Sequence, residues 1–200
     1  MILEGLVTTT DPAGGMHIAA MGPTVDAGER AAGRIERLVL RPFPTSRTAG
    51  HLLRSREGVF HLSDDPLLLA RVVAGRLPGP LRARSADAVA GFVLADCCRA
   101  YEFAVEQVDE SGQRLQLEAR VVAEHAGRPF LGFNRAAHAV VEAAILVTRL
   151  HLHDPDEISR RVADLAILVE KTGGPREREA FGLLEDAVAG GAGRDGFPAG

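Results

Sequence analysis

A chain of 200 residues with 46% hydrophobic and 25% charged side chains has the composition of a folded protein with one main core and room for a satellite, which excludes wholesale disorder. Its net charge of −4 offers no general attraction to nucleic-acid backbones or anionic lipid. Residues 1–5 lack the basic start of a leader, and no window approaches the ~20 apolar residues of a membrane span, so a cytoplasmic protein with neither nucleic acid nor membrane as partner is expected.

Residues 2–10 are rich in β-forming side chains and stop at Asp11, Pro12, Ala13, Gly14 and Gly15, a turn cluster that predicts a hairpin with a second strand over 16–25. In that strand His17 is followed by Ala19, Ala20, Met21 and Gly22. Small residues and a glycine let a backbone approach a flat ligand, and they serve tight sheet packing equally well. Residues 35–40 predict a third strand.

The segment from Phe43 to Leu52 is the most informative. Ser46 is placed to cap a helix running to about Arg56. That would gather the hydroxyls of Ser46 and Thr48 and the Arg47 guanidinium at a helix N-terminus, where free N–H groups and the positive dipole end favour a phosphate. The plainer reading makes Ser46 a cap and Arg47 a solvated cation.

Residues 58–62 predict a fourth strand. Ser63, Asp64, Asp65 and Pro66 then start a helix over 66–74, and this role accounts for the two acids better than a catalytic pair does. Residues 77–86 read as a loop and 92–95 as a short apolar run. Residues 101–106 and 115–121 alternate with period two, each a strand with one wet face. The adjacent Cys97 and Cys98 cannot close a loop or form a CxxC pair, and read as reduced strand residues on opposite faces.

After Pro129 the period becomes helical. Asn134 is placed to cap a helix to about His153, on which Arg135, His138, Glu142, Arg149 and His153 share one narrow sector. The rest of its circumference is mostly Ala, Val, Ile and Leu, so it calls for cover from a barrel and from a second subunit. The polar stripe is either a salt-bridged face or one wall of a ligand cavity. Asp154 and Pro155 restart the chain as a helix, Gly173 and Gly174 stop it, and a further helix covers 175–188. The glycine-rich tail has no periodicity and is expected to fray. The predicted organisation is 1–128, a helical 129–190, and the tail 191–200.

Dinucleotide, P-loop, nucleophile-elbow and zinc-protease motifs do not occur. His151 and His153 diverge on their helix, so no metal site is predicted.

Taken in order, residues 3–9, His17 to Pro23, Ser46-Arg47-Thr48 with Leu52, Phe133-Asn134-Arg135 and Glu142 to Arg149 resemble the domain-of-unknown-function family numbered 447. That family belongs with the flavin-reductase-like FMN-binding proteins. The resemblance implies an α+β, mainly β fold, an FMN-binding split β-barrel followed by a helical C-terminal extension. It implies FMN as cofactor and a homodimer with the flavin near the interface. Ser46, Arg47 and Thr48 match the phosphate segment, and Ala20, Met21 and Gly22 the strand that passes the flavin; Asn134 and Arg135 complete the cofactor-binding set. His51 stands where relatives commonly carry asparagine. It either reaches the flavin, bringing a group that titrates near neutrality, or lies on the solvent side of its helix.

The implied function is an FMN-dependent oxidoreductase with a small-molecule substrate or electron donor. The alternatives are a non-catalytic flavin carrier or redox sensor, or a related barrel using deazaflavin or haem. No catalytic residue is identifiable.

Overall fold

The computed structural model describes residues 1–190, and the tail over 191–200 lies outside the described residues. Two compact units are present among the described residues, one built from residues 1–63 and 81–129, the other from 64–80 and 130–190.

The first unit starts with the expected hairpin, β1 (Leu6–Thr10) and β2 (Met16–Ala20). Its turn is held by Asp11, whose carboxylate accepts from the N–H groups of Ala13 and Gly15, both at 2.8 Å. Gly14 takes the left-handed conformation at φ +86°, which a side chain would resist. β2 is shorter than the predicted 16–25, because Met21 to Pro23 leave the ladder before Thr24 bridges both Ile2 and Val39. A short helix α1 (Ala27–Ala31), capped by Asp26, follows. Then come β3 (Arg37–Leu40), α2 (Arg47–Ser55) and β4 (Glu57–Leu62).

Leaving α3 (Pro66–Val73) aside for the second unit, the chain returns with β5 (Ala83–Ser85), β6 (Phe92–Leu94), β7 (Arg99–Asp109) and β8 (Gln116–Ala126). The main sheet is antiparallel in the order β2-β1-β4-β7-β8-β3. Thr24 exchanges two 2.9 Å hydrogen bonds with Val39, so the run past β2 reaches the opposite edge strand β3 and closes the sheet into a barrel. Closure removes the exposed edges that an open sheet must protect.

Phe60, Phe103, Leu38, Leu40, Leu115 and Leu117 fill the interior. Ala49 and Leu52 of α2 reach the same core, which fixes that helix against the barrel. Period-two reading of 115–121 holds: Leu115, Leu117 and Ala119 are buried. Two departures follow from tertiary context. Residues 83–85, expected as loop, pair with β6 as a small second sheet. Cys97 and Cys98 lie in the turn before β7 rather than in a strand; Cys97 is buried and donates to the Leu94 carbonyl at 3.2 Å.

The second unit is helical: α3, α4 (Arg135–Val147), α5 (Pro155–Thr172) and α6 (Pro175–Ala189). Asp65, Asn134 and Asp154 cap their helices as their positions predict. α4 ends at Val147, short of His153. There the Thr148 hydroxyl donates to the Ile145 carbonyl at 2.7 Å, and Arg149 and Leu150 turn back with i→i+3 bonds. Helices α3, α5 and α6 all pack on α4 and bury Ala136, Ala139, Val140, Ala143, Ala144, Leu146 and Val147. The apolar circumference that called for a second subunit is therefore covered by three helices of the same unit. Ion pairs Arg176–Asp65, Arg71–Glu179 and Arg76–Asp186 fasten α3 to α6. Among the described residues no helix is long and apolar enough to cross a membrane.

Candidate functional site

Ser46 caps α2 in an extended conformation, its hydroxyl accepting from the Ala49 N–H at 3.1 Å. The N–H groups of Arg47 and Thr48 are thereby the first-turn donors that an α-helix leaves without an internal partner. Arg47 is exposed beside them. Thr48 turns the other way: it is fully buried, and its hydroxyl lies 3.1 Å from His17 Nε2. A phosphate held here thus meets the helix start and the Arg47 guanidinium, while the Thr48 side chain serves the interior.

That interior contact belongs to a quartet. Thr9 and His17 are cross-strand partners in the β1–β2 hairpin, so their side chains lie side by side on one face. Thr48 and His51 are one turn apart on α2, which crosses that face. The bonds run crosswise, with His17 against Thr48 and His51 Nδ1 3.0 Å from the Thr9 hydroxyl. The two imidazoles meet edge to face with centroids 5.0 Å apart.

All four side chains are buried. His51 is accordingly not on the solvent side of its helix. Burial pushes His17 down to about 4, and the nearby Arg47 cation and His51 ring push the same way. His51 is lowered too, by burial and then by Arg54 and Arg47, with Asp11 opposing. Both shifts favour the neutral ring, away from the titration near neutrality expected of a His51 that reaches the flavin.

The remaining site residues divide. Ala20 and Met21 close the β2 end of the hairpin: Ala20 pairs with Leu6, and the Met21 N–H donates to the Gly5 carbonyl at 3.0 Å. At Gly22 an added Cβ would meet Ile2 Cγ2 at 2.7 Å and Glu4 Oε2 at 2.9 Å, so the N-terminal segment crowds this position with side-chain ends that would have to move. Asn134 and Arg135 belong to the helical unit. There the Asn134 carbonyl oxygen accepts from Ala136 and Ala137, and its amide donates to the Thr172 carbonyl at 3.1 Å. Arg135, His138 and Glu142 are exposed on α4 and Arg149 is exposed just past its end, and the ion pairs among the described residues of that unit run between other residues.

A second polar cluster, absent from the sequence reading, lies on the other side of the barrel unit. Asp87, Glu102 and His125 bring ligand-type atoms within 4.8 Å of one another. Glu102 is fully buried and accepts from the N–H groups of Asp87, Ala88 and Val89 and from His125 at 2.6 Å. Burial pushes its carboxyl up, but the Asp87 and Ala88 N–H groups and His125 outweigh that, and its pKa is lowered. Arg84 bonds Asp87 at 2.7 Å and faces His125 Nδ1 at 2.9 Å. With a guanidinium already there and the Glu102 oxygens committed, the cluster is suited to latching the 87–89 loop rather than to holding a cation. A cavity of about 400 Å³ borders it, lined by Arg82, Arg84, Leu94, Cys97, His125 and Gly127 among others.

His17 and Thr9 were not on the list of cofactor residues that the sequence supplied. The signal that could have found them is their symmetric spacing about the 11–15 turn, which sets them opposite each other in the hairpin.

The profile of the DUF447 N-terminal domain matches residues 3–128, and the C-terminal profile of the same family of unknown function matches 134–186. Among solved structures, the chain is similar to an FMN-bound DUF447 protein of Methanosarcina mazei. The TM-score is 0.78 at 21% identity, covering 93% of this chain and 94% of that one. It is also similar to a flavoredoxin of Methanosarcina acetivorans, with TM-score 0.52 and 10% identity over 66% and 72% of the two chains. For the flavin reductase of styrene monooxygenase from Pseudomonas putida the values are 0.51 and 13%, over 63% and 80%. At these identities the likeness is one of fold, and that fold is the flavin-reductase-like barrel. With matches that span both its units, the chain belongs to the DUF447 family.

Proposed function

We propose that this protein binds FMN, with the phosphate at the N-terminus of α2 and the flavin against the β2 end of the hairpin near Ala20 and Met21. The observation that carries this reading is the α2 start itself, where the exposed Arg47 and its first-turn N–H stand beside a Ser46 cap that fixes the helix end. Such a start offers a phosphate charge-assisted hydrogen bonds. The FMN-bound DUF447 relative supports the choice of flavin. When bound, FMN supplies the redox chemistry; the chain supplies the phosphate grip and the orientation of the ring.

The finer proposal is an oxidoreductase that passes electrons between FMN and a small molecule, working as a homodimer in the cytoplasm. The visible spectrum of the purified protein tests the cofactor: a yellow flavin released on denaturation is expected, and a colourless protein that takes up no added FMN overturns the proposal. Anaerobic reduced nicotinamide then tests the reaction, since bleaching is expected of a reductase and persistent yellow colour of a carrier. Light scattering at low micromolar concentration tests the dimer against the 21.2 kDa of one chain.

A further inference from the structure

Behind the α2 start lie two histidines that a phosphate grip alone does not require. Each is nine-tenths buried, at 9% exposure, and each is fixed at one ring nitrogen by a hydroxyl, His17 by Thr48 and His51 by Thr9. Their other ring nitrogens, His17 Nδ1 and His51 Nε2, take no hydrogen bond among the described residues. A ring nitrogen in that position can accept a proton and become a donor.

The charged groups facing the pair are few. Arg47 and Arg54 come from α2, and Asp11 from the hairpin turn. Arg54 is occupied with the Thr10 carbonyl, and Asp11 with the N–H groups of its own turn. Burial first, and then the two cations against one carboxylate, hold the pair neutral. A phosphate dianion at the helix start works against both, because it brings two negative charges toward rings already within electrostatic reach of Arg47.

We propose that His17 and His51 form a proton-accepting floor to the phosphate site, so that a phosphate ester binds together with about one proton and binds more tightly as pH falls toward neutrality. This rests on the FMN reading above. One proton is expected for the pair rather than two, since imidazolium rings 5.0 Å apart would repel each other. The balance is simple: the proton comes from solvent, forms an N–H bond on one imidazole, and returns when the ester leaves. No bond of the ligand changes.

The test compares FMN with riboflavin, which carries the same ring without the phosphate. Affinities are followed by quenching of flavin fluorescence from about pH 8 down to about pH 6.5, above the phosphate's own second pKa of about 6. FMN affinity is expected to rise about ten- to thirtyfold across that range while riboflavin stays flat, because one proton gained changes affinity by at most tenfold per pH unit. Calorimetry of FMN binding in two buffers of different ionisation enthalpy should count about one proton taken up. Flat FMN affinity with no proton uptake overturns the inference while leaving FMN binding intact; failure to bind FMN at all overturns the reading beneath it. The His17→Gln/His51→Asn pair of substitutions should abolish the pH dependence. Should that variant not fold, the two measurements on the native protein decide.

Discussion

The barrel unit buries polar side chains in two places, and it treats them differently. At the β4–β7 side every polar atom is used by the fold. His61 is completely buried; its Nε2 accepts from the Leu94 N–H at 3.1 Å, so its Nδ1–H points at the Leu6 carbonyl, 3.4 Å away. Glu102 is equally saturated by three backbone N–H groups and His125. Under α2 the quartet is only half used, with one nitrogen of each ring bonded to a hydroxyl and the other taking no hydrogen bond among the described residues. A polar group that the fold saturates with backbone is structural, because removing it orphans buried partners. One left with unspent capacity beside an anion-favouring helix end is available to a ligand.

The sharpest way to break this comparison is to remove His61. His61→Leu leaves the buried Leu94 N–H without its partner, so a loss of about 1–3 kcal/mol is expected by denaturant titration. A loss below about 0.5 kcal/mol would mean that water or relaxation satisfies that N–H, and that saturation is no guide to structural weight here.

Acid sharpens the same contrast without mutation. Burial holds His61 down to about 4, against 6.5 for the ordinary imidazole, and its backbone hydrogen bonds only partly oppose that. The unfolded chain therefore binds a proton that the folded chain refuses. This stability is complete above about pH 6.5 and is lost progressively as pH falls toward about 4. A single fully buried group shifted that far is worth on the order of 3 kcal/mol. His17 works in the same direction. Glu102, whose carboxyl is held low, adds a further loss below its ordinary range of about 4.5 as it protonates. Denaturant midpoints measured from about pH 7 to about pH 4 should fall steeply, and His61→Leu should show a shallower fall from its lower start.

Arg47 lies on the ligand side of the comparison. Arg47→Ala removes one charge-assisted contact from an exposed position, so FMN affinity should fall about tenfold to a hundredfold, or about 1.5–3 kcal/mol, with the denaturant midpoint unchanged. Unaltered affinity would place the phosphate elsewhere.

Local signals were legible in the sequence because they need only their neighbours. The Asp11 turn, the Ser46, Asp65, Asn134 and Asp154 caps and the Gly173 stop all sit where their chemistry puts them. What escaped depends on residues far apart in the chain. Asp65 caps a helix whose pairing partner Arg176 is 111 residues away, so nothing near residue 65 reveals that α3 joins the C-terminal helices. The same ignorance made α4 look too greasy for one subunit. The site was half legible: Ser46 and Arg47 could be read from a helix start, but the turn of Thr48 toward His17 requires knowing that α2 crosses the hairpin. Relatives' asparagine at position 51 drew attention to His51; its partner His17 carried no such mark.

The smallest expected effect tests the rule outside the barrel. Asn134 resembles His61 rather than His17, since its oxygen takes two helix N–H groups and its nitrogen takes the Thr172 carbonyl. With both ends committed to backbone, Asn134 keeps only one amide hydrogen for a ligand, although the family resemblance places it among the cofactor residues. Asn134→Ala should therefore behave as a lost cap, with about 0.5–2 kcal/mol lower stability and no change in FMN affinity once the folded fraction is accounted for. Asn134→Asp keeps the acceptor for Ala136 and Ala137 and loses only the donor to Thr172, so it should recover most of the loss. A drop in FMN affinity with stability intact would reverse the assignment. It would mean that Asn134 exchanges its cap for a ligand contact, and that hydrogen bonds made within the fold do not predict which side chains a ligand recruits.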